Sequence, residues 1–151
     1  MANTKQTRKN FYLLLKNLSL DQLNQIPSGF NNNLIWNFGH ILVTQQLLCY
    51  RMANLEALLP DDFIDSYRKG SKPIGYIGAN EWQKMKDFSR HSLDKMEEDL
   101  AQGKFKNYKE YSTSYGLTLK SIEDAINFNA LHEAMHLGYA MALLRAVESN
   151  K

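Results

Sequence analysis

Cysteine is nearly missing from this chain: Cys49 stands alone among 151 residues. That excludes an internal disulfide and suits a reducing compartment. Proline is scarce as well, at three, so long stretches run without a helix breaker. No run approaches the ~20 apolar residues of a membrane span, and the polar, basic first ten residues lack the apolar core of a secretion signal. Charge of one sign is missing too. The net charge is +2, with lysines and arginines scattered among acids, whereas a nucleic-acid-binding face needs a clustered basic stripe. Repeats and low-complexity segments are absent. The expectation is a cytoplasmic protein that engages neither nucleic acid nor membrane. What is present is ordinary for a soluble globular chain, 44% hydrophobic and 23% charged, and sufficient for one domain over 1–151 with a sizeable core.

The apolar residues recur at helical spacing. A first helix begins near Thr4 and is most apolar over 11–15. Ser19-Leu20-Asp21-Gln22 reads as a capping box opening a short helix that Pro27 closes,. Asn33 is a good N-cap for a long helix over 34–58, whose apolar residues lie almost all round it, so it is either central or part of a subunit interface. Residues 60–78 read as a long loop, a length that is usually functional. Asn80 then caps a helix over 81–102, which Gly103 ends. Residues 105–116, rich in tyrosine and without a helical period, read as an extended crossover, and Thr118 as the cap of the last helix. Four long amphipathic helices, two long connections and little strand signal make an all-α four-helix bundle.

The least ordinary stretch is Leu131-His132-Glu133-Ala134-Met135-His136-Leu137-Gly138. Four residues is about one helical turn, so His132 and His136 project from one face, where two imidazoles can share a divalent ion. Between Leu119 and Val147 there is no proline and one glycine, Gly138, and the apolar period places both histidines at the edge of the buried stripe. Metals inside helical proteins are held by facing helices, so a third ligand should come from elsewhere. His40, one turn after Trp36 on the second long helix, is the candidate. His91 falls on the opposite side of its helix from Trp82, Met96 and Leu100, hence toward solvent. Three neutral imidazoles with no fourth protein ligand leave a coordination position open, the pattern of a reactive rather than a structural ion. Nitrogen donors suit zinc, nickel, copper or iron, with zinc or nickel the expected ion.

His132-Glu133-x-x-His136 also spells the zincin motif, in which the glutamate is general base for a metal-bound water. Glu133 falls near the middle of the apolar stripe, where it serves either as that base or as a supporting salt bridge within the bundle. A zincin protease needs a substrate-aligning strand beside the motif helix. No such sheet is legible here.

The run Pro27-Ser28-Gly29-Phe30-Asn31-Asn32-Asn33-Leu34-Ile35-Trp36-Asn37-Phe38-Gly39-His40-Ile41, taken with the histidine stretch above, resembles the DinB-like (DinB/YfiT) superfamily. Members carry a Trp-Asn-x-Gly-His segment on the second helix and a His-x-x-x-His-x-Gly segment on the last. The resemblance covers nearly the whole chain. It implies an up-up-down-down bundle with long crossover connections, commonly a homodimer, with His40, His132 and His136 as metal ligands. Trp36, Asn37 and Tyr139 are the residues it would place around a pocket, Tyr139 standing where the family often has glutamine. Characterised relatives include metal-dependent S-transferases that use low-molecular-weight thiols such as bacillithiol or mycothiol, and mycothiol-dependent isomerases. The resemblance therefore implies a metal-dependent transferase acting on a small molecule, in which a metal-bound thiol is deprotonated at neutral pH. A hydrolase using a metal-bound water, and a non-catalytic dimer with a structural or vestigial metal site, are the alternatives. Residues 60–78 and 105–116 would shape the pocket, with Tyr67, Tyr76 and Tyr108 as candidate lining.

Overall fold

Helical periodicity translates into helices almost throughout. The computed structural model describes residues 1–149. Their order is α1 (Ala2–Leu15), α2 (Leu20–Asn24), α3 (Leu34–Gln45), α4 (Asp61–Tyr67), α5 (Ala79–Ala101), β1 (Tyr111–Ser112), β2 (Thr118–Leu119) and α6 (Ile122–Ser149). The fold is all-α apart from the β1–β2 pair, antiparallel with Tyr111 opposite Leu119. No helix among the described residues is long and apolar enough to cross a membrane.

Several end signals act as the sequence suggests. Ser19 and Gln22 form the reciprocal capping box of α2, and the Asn33 side chain accepts from the Trp36 amide at the start of α3. Gly103, at φ 65°, takes the left-handed conformation that closes α5,.

Four boundaries differ from expectation. The second long helix does not reach residue 58. Beyond α3 it loosens into a π-type stretch (Gln46–Tyr50), tightens into a 3₁₀ turn (Arg51–Ala53) and stops at Asn54, which adopts φ 58°. Asparagine tolerates that left-handed geometry, and the Gln46 side chain then accepts from the Leu58 amide, turning the chain back. Residues 60–78 are not all loop but contain α4. Pro60 precedes its first turn, and Asp61 and Asp62 lie within it, where proline and acids favour a helix start. Gly78 rather than Asn80 stands at the N-cap of α5, its amide donating to Glu81 Oε2. Ser121 rather than Thr118 caps α6, accepting from the Asp124 amide; Thr118 is spent on β2.

The core explains the apolar girth of α3. Residues 34–43 are all buried, packed by Phe11 and Leu15 of α1, Ile64 and Tyr67 of α4, Trp82 and Met85 of α5, and Ala140 and Leu143 of α6. Of the two alternatives, central or interface, α3 is central. A second apolar cluster joins the end of that helix (Leu48, Tyr50) to Met96, Leu119, Ala125 and Phe128. It anchors the crossover.

Through the middle runs one charged network. Arg8 of α1 is 3% exposed and Glu133 of α6 is fully buried. Arg8 Nε donates to Glu133 Oε2 at 3.0 Å and Nη2 to Oε1 at 2.8 Å. Nη1 donates to the Ser89 carbonyl and Ser92 Oγ of α5, and Nη2 also to Gln45 Oε1 of α3. All five guanidinium N–H groups thus find acceptors. Asn129, one turn earlier on α6, donates Nδ2 to Glu133 Oε1 at 2.8 Å. Removing one partner strands the other charge in the core, which costs ~3–5 kcal/mol, whereas replacing both with apolar groups costs far less. Glu133→Ala should therefore lower unfolding free energy by about that amount in urea titrations, and Arg8→Met with Glu133→Leu should recover most of it. A loss below about 1 kcal/mol in the single variant would show that Arg8 is not left as an uncompensated buried charge.

Candidate metal centre

Three imidazoles meet where α3 and α6 cross. His40 comes from α3, His132 and His136 from consecutive turns of α6. Each offers a nitrogen, and these nitrogens lie within 4.8 Å of one another. Ring centroids are 5.2 Å apart for His40–His132, 4.8 Å for His40–His136 and 4.6 Å for His132–His136. The i, i+4 spacing accounts for one pair. The third ring depends on how α3 packs against α6.

Neighbouring groups fix how two of the rings present themselves. His40 Nδ1 lies 2.7 Å from the Tyr67 carbonyl oxygen, which can only accept, so Nδ1 carries the proton and Nε2 keeps its lone pair. His136 Nδ1 lies 2.9 Å from Asn37 Oδ1. The Asn37 amide is itself oriented, since its nitrogen donates to Asn32 Oδ1 and the Asn33 carbonyl. His136 must then donate from Nδ1 and hold Nε2 free. Metal-ligating histidines characteristically donate their other ring nitrogen in this way. His132 has no such support: its Nδ1 is buried and lacks any hydrogen-bond partner. A buried polar atom without a partner is rare in native proteins, and this one belongs to a ring that brings one nitrogen to within 4.8 Å of nitrogens of the other two. The residues fit a divalent ion.

The rings are also kept neutral, the state a ligand needs. Burial pushes His132 down to about 3, helped by the adjacent His136 and His40. Burial and His40 push His136 down to about 4. Burial lowers His40 too, partly opposed by the Tyr67 carbonyl.

The surroundings separate the other candidate residues. Trp36 stacks on His40, with centroids 4.8 Å apart and planes at 11°, and donates Nε1 to Ser71 Oγ. Tyr67 lies over Gly39, where a Cβ would overlap its ring. The glycine beside His40 thus lets α4 approach closely enough for the Tyr67 carbonyl to reach the imidazole. Tyr67 and Trp36 wall a cavity of about 360 Å³ beneath residues 60–78, but no histidine of the cluster lines it. Tyr76 is exposed and bonds Asp21, while Tyr108 donates to the Leu48 carbonyl in the second apolar cluster. The crossover reaches the histidines by another route: Tyr115 packs on Phe128, and Phe128 on His132. Tyr139 sits on the exposed side of α6 with its ring edge against Phe30. His91 is exposed, as its helical position suggests. Glu133 has the geometry of the salt bridge, not of a base at the histidines, because both carboxylate oxygens are taken by Arg8. Arg8 went unremarked in the sequence, although it falls between Thr4 and Phe11 on the buried stripe of α1.

The shifted histidines set a pH dependence. Their folded-state values lie below the ~6.5 of free imidazole, so the unfolded chain binds more protons. The resulting stability is complete above about pH 6.5 and is lost as the pH falls toward the values of about 4 and about 3 held by His136 and His132. Chelator-treated protein should accordingly melt at progressively lower temperature from pH 7 to 4.5, and less steeply with both His132→Gln and His136→Gln in place. Parallel slopes in the two proteins would remove the histidines as the cause.

No curated relative matches the chain. The family model of the DinB superfamily matches residues 3–140, a span that contains His40, His132 and His136, all of α3 and α6 as far as residue 140. The chain belongs to the DinB superfamily.

Proposed function

We propose that His40, His132 and His136 hold one divalent metal ion, zinc or nickel before iron, and that the protein is a metal-dependent transferase joining a low-molecular-weight thiol to a small molecule. The observation that carries the reading is the convergence of three neutral imidazoles, two with their remaining ring nitrogen bonded to the protein, and no carboxylate among them. Such a site leaves the ion a position for an exogenous ligand. The ion would act as a Lewis acid that lowers the pKa of a thiol or water placed on it.

Two features favour a thiol over water. A hydrolase of the zincin kind needs a carboxylate base beside the histidines, and Glu133 is engaged by Arg8 instead. A thiol, with an ordinary pKa of ~8.5, needs less assistance. The chain's own thiol does not serve: Cys49 is buried, and burial pushes it up to about 12. The nucleophile therefore arrives as a co-substrate. The half-buried His132 and His136 give access from solvent, and Phe128 with Tyr115 would flank the incoming molecule. The four long helices would follow the up-up-down-down path of the family.

Untagged protein should retain about one metal ion per chain by elemental analysis, and His136→Ala should abolish it while leaving helix content intact. Thiol conjugation to an electrophile such as monochlorobimane should vanish on chelation and return with zinc or nickel, with the melting curve at pH 7.5 nearly unchanged. Chelation that melts the fold and yields no conjugation in any thiol tested would assign the ion a structural role instead.

The homodimer belongs to the same proposal, but α3 no longer motivates it, being enclosed within its own chain. The support lies on α6, where Leu131, Met135, Tyr139 and Met141 are 39–49% exposed around Gly138, beside which a Cβ would meet nothing. Met135→Arg should convert the protein from dimer to monomer in light scattering at micromolar concentration; a native protein that is already monomeric there would end this part of the reading.

A further inference from the structure

A second concavity lies away from the histidines, between α1 and α5. Its volume is about 580 Å³, larger than that of the cavity beneath residues 60–78, and none of the three histidines lines it. The floor is apolar: Phe38 at 1% exposure and Leu93 at 5%, with the ring of Tyr12, itself 44% exposed, as one wall. Phe38 of α3 forms the bottom of this groove while staying buried, so α1 and α5 diverge here only far enough to bring the groove down to the edge of the core.

The rim is cationic. Lys5, Lys9, Lys86 and Arg90 line it against a single acid, Asp94. Lys5 is spoken for by Asp94 and Glu97, whereas Arg90 meets Asp87 through a single Nη2 bond that leaves guanidinium donors for a ligand. Lys86 lies over the Trp82 ring at 5.7 Å. No acid stands within ion-pairing distance of Lys9 or Lys86 among the described residues. The groove thus joins a low-dielectric floor to positive charge in excess of what its own acids neutralise. Binding sites of this size, ~300–1,000 Å³, typically take small molecules and use a few charged groups to fix orientation.

We propose that the α1–α5 groove binds a small amphipathic anion, one with an aromatic or alkyl body on Phe38, Tyr12 and Leu93 and a carboxylate, sulfonate or phosphate head among Lys9, Lys86 and Arg90. The charge complementarity selects the anion, and the apolar floor selects against inorganic phosphate or sulfate. The deep wall includes Arg8, whose guanidinium holds Glu133 next to the metal-ligand candidate His132. An occupant would therefore rest against the network that positions α6. The proposal does not depend on the metal or on transferase activity.

The probe is 8-anilinonaphthalene-1-sulfonate, an aryl sulfonate of this shape, titrated by fluorescence into the full chain at pH 7.5. Saturable binding at one site is expected, weakened by added salt because rim charges are screened beyond a Debye length of ~8 Å. Reversing the exposed pair, Lys9→Glu with Arg90→Glu, should weaken binding by about tenfold, and Tyr12→Ala should weaken it while leaving the salt dependence in place. Uncharged N-phenyl-1-naphthylamine should bind much more weakly than the sulfonate. Melting curves of the variants, all at exposed positions, verify that the fold is kept. Equal affinity in the charge-reversed variant, equal binding of the uncharged analogue, absence of binding to the native fold, or loss of binding with His136→Ala instead would each overturn the assignment.

Discussion

The Arg8–Glu133 pair is the contact around which the rest of the structure is arranged. A guanidinium and a carboxylate this deeply buried are tolerated only when each finds its full set of partners. Here the partners come from α1, α3, α5 and α6 at once. The network therefore acts as a registration device. Sliding any of the four helices by a turn would leave a charge or a donor without its acceptor, at a cost comparable to a large part of a domain's net stability.

That registration has a direct consequence for the histidines. Glu133 is the residue after His132. Drawing its carboxylate toward α1 fixes the rotation of α6, and the rotation decides that His132 and His136 face His40. One helical turn carries both features: an inward-pointing acid holds the helix, and flanking imidazoles take up the adjoining face. The zincin-like spelling arises from this arrangement. The same letters serve this helical fold by sending the glutamate into the core, and a protease by sending it to the metal.

Outside that turn, orientation is supplied by groups that look unremarkable. The Tyr67 carbonyl reaches His40 because Gly39 has no side chain in the way. The Asn37 amide reaches His136 because Asn32 and the Asn33 carbonyl hold it in one orientation. Burial then keeps all three rings uncharged near neutral pH. Proton inventory and geometry agree, and both derive from packing.

Much of this was legible in the residues. The i, i+4 spacing of His132 and His136 defines a shared helical face wherever that helix sits, and capping groups at Ser19, Asn33 and Gly103 act through bonds only a few residues long. Local chemistry of that kind depends on the chain alone. The end of the second long helix at Asn54, the helix hidden after Pro60 and the start of α6 at Ser121 were less legible. In each, several residues could serve as cap or terminator, and long-range partners chose among them. The convergence of His40 on the α6 pair, the engagement of Glu133 by Arg8 and the cationic groove between α1 and α5 belong to the tertiary structure. A one-dimensional pattern determines which face of a helix is apolar; only the packing of that helix against its neighbours determines what the face meets.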